Sequence, residues 1–241
     1  MTIDALSMVA QTMQLDSRRV ETYSHNMVNS TTPGYRRQIS LLQPQFASVF
    51  DSQSQAGNAV DQRFRTAVDM TAGTMKPTGR ALDLAISGDA YFTLEGPQGV
   101  VYTRRGDFQV DASGKLVSAD GEAVMSTQGE LRLPPGKYTV DASGRISVDG
   151  NVAGQLQLVQ FDPATQLIPV GNASYTAAGK VPVTSVVQAD VRSGYLEVAN
   201  VSTAAEMVGL LETMRHFEAN QKLFQNYDDA ISKAIQKLGE F

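Results

Sequence analysis

Histidines and clustered carboxylates are the side chains of this sequence that could do acid–base chemistry. His25 and His216 lie in stretches with helical periodicity, where neither a partnered nucleophile nor a pocket is evident, so we interpret them as helix-surface or packing residues. The adjacent Asp228 and Asp229 are typical of a solvated helix face. A glycoside-cleaving enzyme would need a general acid in a cleft, but the candidate glutamates flank glycine-containing turns: Glu95, Glu122 and Glu130. The sequence therefore predicts no catalytic site.

A seven-residue motif occurs twice in the chain. Val-Asp-Ala-Ser-Gly-Lys-Leu at 110–116 returns as Val-Asp-Ala-Ser-Gly-Arg-Ile at 140–146. Its Asp and Ser could belong to a calcium loop, but an EF-hand needs oxygen ligands at alternate positions and a distal Glu, which neither copy has. An Asp that opens a turn and a Gly that closes it in a left-handed conformation are typical of hairpins. We therefore expect two β-hairpins and no metal site.

Composition excludes several classes of protein. The chain has 241 residues and a formal net charge of −5, whereas a nucleic-acid binder needs a basic face. It has no Cys, which excludes disulfides, thiolate metal sites and a Cys nucleophile. Polar residues interrupt its apolar stretches, so we expect neither a membrane-spanning helix nor a cleavable secretion signal. Composition thus favours a protein that is cytoplasmic or exported by an unusual route. We also expect no cofactor.

The N-terminal stretch has the periodicity of a helix that packs against another helix. Its apolar and small residues recur at steps of three and four, which is the repeat of a coiled-coil seam. Pro33 and Gly34 predict that the helix ends shortly before them. The predicted seam positions are Ile3, Leu6, Ala10, Met13, Ser17, Val20, Ser24 and Met27.

The C-terminal stretch repeats this pattern over a longer span. Thr203 with Glu206 predicts a capping box, and Gly239 predicts the end, of a helix over 203–238. Its seam positions are Met207, Leu210, Met214, Phe217, Gln221, Phe224, Asp228, Ile231, Ile235 and Leu238. Because a solitary helix is marginal in water, both seams need a partner, which is the other helix, neighbouring copies of the chain, or both.

The middle of the chain has the pattern of a β-protein. From about 80 to 195, short apolar runs alternate with Gly, Asp and Pro. Residues 43–62 are rich in Gln and Ser, which predicts an extended connector. We expect an α+β fold with long N- and C-terminal helices packed as a coiled-coil-like pair and a central all-β domain. The expected domains are a terminal helical domain (1–36 with 196–241), a connector (37–79) and a β-rich domain (80–195).

Two stretches at the helix ends fit a simple cap, turn or strand, so local physics leaves their role open. Together, however, they resemble the bacterial flagellar rod and hook family. Residues 24–36 (Ser-His-Asn-Met-Val-Asn-Ser-Thr-Thr-Pro-Gly-Tyr-Arg) resemble its N-terminal signature, with His25 in place of the usual Asn. Residues 82–92 and 102–108 are similar to its central β motifs. The C-terminal residues that carry the resemblance are Gly194, Leu196, Glu197, Asn200, Val201, Glu206, Met207, Arg215, Phe217, Glu218 and Lys222.

The resemblance implies a structural subunit of the flagellar basal-body rod, of the proximal rather than the distal type. Such a protein is exported unfolded by the flagellar type III apparatus without a cleaved signal. It polymerises with copies of itself and other rod proteins into the periplasm-spanning shaft that transmits torque from motor to hook. The residues implied in assembly are the two seams, a corner at Asn26, Asn29, Thr32, Pro33, Gly34 and Tyr35, and the motif Gly194, Leu196, Glu197 and Asn200.

Two alternatives stay open alongside the proximal rod. One is a distal rod protein of the same family. The other is a secreted β-domain that binds a glycan or a protein, with the helices as a self-associating stalk. That module would need an exposed aromatic patch, for which the chain has 8 Tyr and 9 Phe available.

Overall fold

The computed structural model describes residues 2–42, 64–97, 99–162, 165, 167–177, 184–185 and 190–239. Within these residues the chain forms two α-helices, α1 (Thr2–Val28) and α2 (Thr203–Gly239). The strands between them are short: β1 (Gln38–Leu42), β2 (Phe64–Val68), β3 (Met75–Pro77), β4 (Leu84–Ser87), β5 (Ala90–Gly96), β6 (Gly99–Thr103), β7 (Gln109–Val110), β8 (Leu116–Val117), β9 (Ala123–Ser126), β10 (Gly129–Glu130), β11 (Tyr138–Val140), β12 (Arg145–Val148), β13 (Asn151–Gln155), β14 (Leu158–Gln160), β15 (Leu167–Gly171), β16 (Ser174–Ala177), β17 (Thr184–Ser185), β18 (Asp190–Ser193) and β19 (Tyr195–Glu197).

The predicted α+β class is confirmed, with two terminal helices and a central, mostly β region. The chain divides into two compact units. The helical unit comprises Met1–Val28, Gln38–Asp69 and Val201–Phe241, and the β unit comprises Asn29–Arg37 and Met70–Asn200. These bounds differ from the expected domains in four respects. The turn after α1, residues 70–79 of the expected connector and residues 196–200 of the expected helical domain all belong to the β unit. β1 and β2, also from the expected connector, belong to the helical unit.

The N-terminal helix ends where the sequence predicts. α1 ends at Val28, and in the turn that follows the Thr32 amide donates to the Asn29 carbonyl oxygen over 3.0 Å. Gly34 has a φ of 67°, in the left-handed region that favours glycine. The chain therefore leaves the helix through a tight turn rather than a kink.

The C-terminal helix also lies within a residue of its predicted bounds. At its start the Glu206 amide donates to the Ser202 carbonyl oxygen over 3.0 Å, which places Ser202 at the N-cap. The predicted capping box, which required Thr203 at that position, is therefore wrong by one residue. In the part of the chain that the structure describes, neither helix has an apolar stretch long enough to cross a membrane.

The first strand of the helical unit, β1, follows the turn directly. β1 and β2 pair antiparallel, with Gln38 opposite Val68 and Leu42 opposite Phe64. The Thr22 hydroxyl of α1 lies 2.9 Å from the Ser40 hydroxyl of β1, so this ribbon packs on the first helix. The segment 43–62, predicted to be an extended connector, lies outside the described residues.

The β unit is built around β5, whose residues from Ala90 to Leu94 are all buried. β5 pairs antiparallel with β6, β9 and β14 in a ten-stranded sheet with the main order β15-β16-β6-β5-β9-β8-β7. The strands β11, β12 and β13 form a second sheet, and β4 with β18 and β3 with β19 form two-stranded sheets. These short antiparallel strands confirm the predicted β-rich middle of the chain.

An apolar core fills the β unit. Phe92 and Phe108 are fully buried and meet edge to face, with 5.0 Å between their ring centroids. A run of consecutive buried residues such as β5 is expected of a strand that is covered on both faces. The other core residues are Leu84, Ile86, Ala90, Leu94, Leu116, Val124, Leu131, Leu133, Ile146, Val148, Leu156, Leu158 and Val191.

The repeated motif forms two hairpin turns, as predicted. The Gly114 amide donates to the Asp111 carbonyl oxygen and the Gly144 amide to that of Asp141, each over 3.0 Å. Both glycines have a positive φ, 82° and 77°. In each turn the Asp carboxylate accepts hydrogen bonds from the amide and the hydroxyl of the Ser two residues later. Asp and Ser therefore hold the turn itself.

Candidate assembly site

Asn26, near the end of α1, joins three segments of the helical unit. Its side chain is fully buried; its Oδ1 accepts from the Gln38 amide over 2.8 Å, and its Nδ2 donates to the Gln38 carbonyl oxygen over 2.9 Å. The same Nδ2 donates to Oε2 of the buried Glu206 over 2.9 Å. A primary amide thus pairs with the main chain as a peptide group would. Asn26 fixes the start of β1 and the first turn of α2 together.

A second polar contact joins the two helices closer to the start of α1. Asp16 is 1% exposed, and its Oδ2 lies 2.6 Å from Nδ1 of His216 and 3.3 Å from Nδ2 of Asn220. Among the described residues its Oδ1 accepts no hydrogen bond, and it lies 3.6 Å from Nη1 of Arg19. The carboxylate is therefore buried with an incomplete set of partners.

The contacts between α1 and α2 all fit an antiparallel alignment of the two helices. Tyr23 lies against α2 at Gly209, where a Cβ would come within 2.7 Å of the ring. Asp16, Tyr23 and Asn26 follow one another along α1, and their partners follow in the reverse order along α2. With the buried Thr213, these positions of α2 form a set that we call the polar seam: Glu206, Gly209, Thr213, His216 and Asn220.

The polar seam lies one residue before the predicted seam at each step along this part of α2. We call Met207, Leu210, Met214 and Phe217 the apolar seam. Met207 and Met214 are 48% and 47% exposed, and the other two are half-buried. The repeat of three and four residues is therefore present, but the most buried residues of this part of α2 are polar. Farther along α2, Phe224 and Ile231 are also exposed.

The predicted seam of α1 is likewise not the most buried part of that helix. Ala10 is exposed, and Met13, Val20 and Met27 are half-buried. Leu6, Ile235 and Leu238 lie within the helices, and their side chains are outside the described residues. Although α1 and α2 contact each other, coiled-coil packing of the pair stays a prediction, as does the role of these seams between subunits.

In the β unit, Glu197 is a buried acceptor for two arginines. Its Oε1 lies 2.8 Å from Nη2 of Arg36 and accepts from the Gly73 amide over 2.9 Å, and its Oε2 accepts from Nε of Arg104 over 3.1 Å. All three charged side chains are at most 3% exposed. Further N–H groups of the arginines donate to the main-chain oxygens of Thr71, Gly88 and Ala90. In this Arg36–Glu197–Arg104 cluster, one carboxylate thus pairs with two guanidinium groups.

The turn after α1 packs against this cluster. The Gly34 amide donates to the Glu197 carbonyl oxygen over 2.8 Å, and a Cβ at Gly34 would overlap the main chain of Arg104. Asn200 holds the end of the turn, since its Oδ1 accepts from the Arg37 amide over 2.6 Å. Three predicted motif residues from opposite ends of the chain therefore meet here.

The remaining predicted motif residues support these contacts. Tyr35 is buried, and its carbonyl oxygen accepts from the Asn200 amide over 3.4 Å. Gly194 has a φ of 81°, and its amide donates to the Asp83 carbonyl oxygen over 2.8 Å. The half-buried residues of the set are Asn29, Thr32, Pro33 and Leu196.

Burial sets the electrostatics of the cluster. Desolvation lowers the pKa of Arg104, an effect that the negative charge of Glu197 opposes. The ring of Tyr91 lies under the guanidinium of Arg104, 5.5 Å from its carbon to the ring centroid. Burial raises the pKa of Tyr91, and the charges of Arg104 and Arg36 oppose that shift. The cluster therefore packs charged groups in the interior of the β unit, where each guanidinium faces the carboxylate of Glu197.

Several residues of the site were missed at the level of sequence. Asp16, Thr213 and Asn220 were not predicted, and Arg36 and Arg104 appeared only as members of motifs. One signal was available, since Glu206, Thr213 and Asn220 recur every seven residues with Gly209 between them. A glycine inside a helix is costly and often marks close packing.

Comparison with known proteins places these motifs in one family. Residues 192–237 match the family described as "Flagellar basal body rod FlgEFG protein C-terminal", and residues 85–153 match "Flagellar hook protein FlgE/F/G D1 domain". The chain is 31% identical over 242 residues to the flagellar basal-body rod protein FlgF of Escherichia coli (strain K12), covering 88% of this chain and 89% of that protein.

Two further relatives cover still more of the chain. The FlgF protein of Mesorhizobium japonicum is 28% identical over 240 residues, with 98% of each chain covered. The rod protein FlgG of Bacillus subtilis is 25% identical over 244 residues, with 90% of this chain and 92% of that protein covered. The chain therefore belongs to the flagellar basal-body rod protein family, and within it is FlgF-like.

Proposed function

We propose that this chain is a structural, non-enzymatic subunit of the proximal part of the flagellar rod. The observation that carries this proposal is the exposed apolar surface of α2. Met207, Val208, Leu211 and Met214 are exposed on its first half. On its second half, every described side chain from 221 to 233 is exposed, among them Leu223, Phe224, Tyr227 and Ile231.

Apolar surface of this extent marks an interaction site. An α-helix that leaves a row of Met, Leu, Phe and Ile side chains in water gains stability when neighbouring helices cover them. Neighbouring copies of the chain are the natural partners, because each copy carries the same repeat of three and four residues on both terminal helices. In this proposal the predicted seams of α1 and α2 are buried between subunits.

Membership of the rod protein family indicates where the subunit would assemble. Rod subunits would reach the basal body through the flagellar type III apparatus without a cleaved signal, and assemble with other rod proteins into the shaft that transmits torque. The Asn26-to-Tyr35 corner, the motif from Gly194 to Asn200 and the Arg36–Glu197–Arg104 cluster would keep the turn after α1 in one conformation.

The two alternatives have less support. The secreted binding module required an exposed aromatic patch, but Tyr91, Phe161 and Tyr175 are buried and meet edge to face in the β unit. A distal rod position is favoured only by the similarity to FlgG proteins, which is lower in identity than the similarity to FlgF of Escherichia coli.

The test is replacement of an exposed apolar residue of α2 by a charge. In cells that assemble flagella and carry the variant as their only copy, Phe224→Asp should abolish incorporation into isolated rods and motility. Gln225→Asp, which adds the same charge to the adjacent exposed residue, is the matched control and should assemble. Phe224→Asp must leave the hydrogen-exchange protection of the β unit unchanged. Normal incorporation of Phe224→Asp would falsify the proposal.

A further inference from the structure

The most buried described residues of α1 and α2 are polar, although both helices carry apolar residues of the same period. Asp16 and Asn26 on α1, and Glu206, Thr213 and Asn220 on α2, are each at most 9% exposed. The apolar seam lies one residue farther along α2, which is a rotation of about 100° around the helix axis. Two ways of packing α2 on α1 therefore compete, one through the polar seam and one through the apolar seam.

Hydrophobic burial alone favours the other packing. Turning the apolar seam toward α1 would cover Met207 and Met214, which are exposed in the structure. The polar seam buries a carboxylate, that of Asp16, whose Oδ1 accepts no hydrogen bond from any described group. The His216 partner of Asp16 is itself 56% exposed. Polar contacts with a buried member are poor sources of stability, but they can select one packing arrangement over another. The role of these polar contacts is therefore to select one packing of α2 on α1 over the other.

We propose that the pairs Asn26–Glu206 and Asp16–His216 set the rotation of α2 about its axis, and so keep its apolar seam free for neighbouring copies of the chain. Rotation of α2 would break the contact of each pair and bring apolar side chains against the buried polar group on α1. Asn26 is itself held in place by two hydrogen bonds to the main chain of Gln38. Its amide therefore cannot follow Glu206 as α2 turns.

The claim that neighbouring copies cover the apolar seam rests on the proposed function, whereas the claim about the rotation of α2 does not. It is a property of the free subunit and can be measured without rods. Because the chain has no Cys, a single introduced thiol reports the exposure of one position without ambiguity. Thr213 and Met214 are adjacent, one on each seam, and are buried and exposed respectively.

The experiment compares thiol alkylation rates of the full-length Thr213→Cys and Met214→Cys variants at concentrations where the subunit is monomeric. We expect the thiol at position 214 to react about tenfold faster or more, because α2 must open locally before position 213 is reached. Asp16→Leu removes one polar pair and offers an apolar contact in its place. In that background the thiol at 214 should slow and the thiol at 213 should quicken.

Two control variants distinguish selection of one helix packing from general stabilisation of the helical unit. Ser17→Leu adds the same side chain at the next, exposed position and should leave both rates unchanged. Asp16→Asn can keep hydrogen bonds to His216 and Asn220 and should preserve the order of the rates. If Asp16→Leu leaves both rates as they were, or makes both thiols react quickly because the helices unfold, the proposal is wrong. Failure of Phe224→Asp to block assembly would instead contradict only the proposed function.

Discussion

Arg36 and Glu197 form a buried ion pair, with 2.8 Å between Nη2 and Oε1, although one follows the first helix and the other precedes the second. Arg104, from the middle of the chain, completes the cluster at 3.1 Å. Three separate motifs thus meet on one carboxylate. The β unit therefore requires the turn after α1 as a structural part, and its fold is closed by residues from both ends of its sequence.

Glu197→Gln should strongly destabilise the β unit. The amide keeps the shape of the side chain but leaves two buried guanidinium groups without an anion, and loss of one partner from a buried ion pair costs about 3–5 kcal/mol. Glu130→Gln is the control, since Glu130 pairs with Lys115 over 2.8 Å on the surface, where such pairs contribute about 0–1 kcal/mol. Chemical denaturation followed in the β unit measures both. Equal losses for the two variants would mean that burial of the cluster has no energetic consequence.

Gly34→Ala should destabilise the chain more than Gly79→Ala. Both glycines have a similar positive φ, 67° and 76°, so each substitution incurs the left-handed penalty of about 1–2 kcal/mol. Only the substitution at Gly34 also causes a steric clash, because the new Cβ would overlap the main chain of Arg104. Nothing lies within 4 Å of a Cβ at Gly79. Overpacking of this kind costs about 1–3 kcal/mol more. The difference in unfolding free energy between the two variants therefore isolates the close approach of the turn.

The period of the helices could be read from the sequence, but the face that each helix presents to the other could not. Apolar residues identify a seam only when the contact is apolar, and here Asp16, Tyr23 and Asn26 meet small or polar residues of α2. The hairpin turns at Asp111 and Asp141 were predictable because the hydrogen bonds by which each Asp carboxylate shapes its turn reach no farther than four residues. The Arg36–Glu197–Arg104 cluster was not, since Arg104 and Glu197 are 93 residues apart and nothing local links them.

The two hairpin turns should lose stability in acid. Hydrogen bonds from Ser143, chiefly from its hydroxyl, lower the pKa of Asp141 below its ordinary value. The ionised carboxylate is therefore favoured in the folded turn. Its contribution is complete above the unfolded-state pKa, about 3.9, and is lost as the pH falls through the lower folded-state value. Nuclear magnetic resonance titration of the carboxyl carbon measures the shift.

Ser143→Ala provides the matched variant for that titration. It should raise the pKa of Asp141 back toward the ordinary value and leave Asp111 unchanged, because Asp111 is bonded to Ser113. Ser113→Ala should do the converse. A titration of Asp141 that does not respond to Ser143→Ala would show that the hydroxyl is not the cause of the shift.

Asn26→Asp should be more damaging than Asn26→Ala at neutral pH. The alanine variant removes the hydrogen bonds of Asn26 to Glu206 and to the main chain of Gln38, and a buried polar group that loses its hydrogen bond costs about 1–3 kcal/mol. The aspartate variant can still accept from the Gln38 amide, but it sets a second carboxylate beside the buried Glu206. Like charges at that distance repel strongly when desolvated, so the lost attraction is replaced by repulsion.

Acidification distinguishes the two Asn26 variants. When one of the paired carboxyls in Asn26→Asp takes up a proton, the repulsion ends and that proton can bridge the two groups. The helical unit of this variant should therefore gain stability as the pH is lowered from 7 toward 5, relative to Asn26→Ala, which lacks the second carboxyl. Hydrogen exchange of α1 and α2 at both pH values measures the difference. If the two variants respond alike to pH, the side chain at position 26 does not face Glu206 in solution.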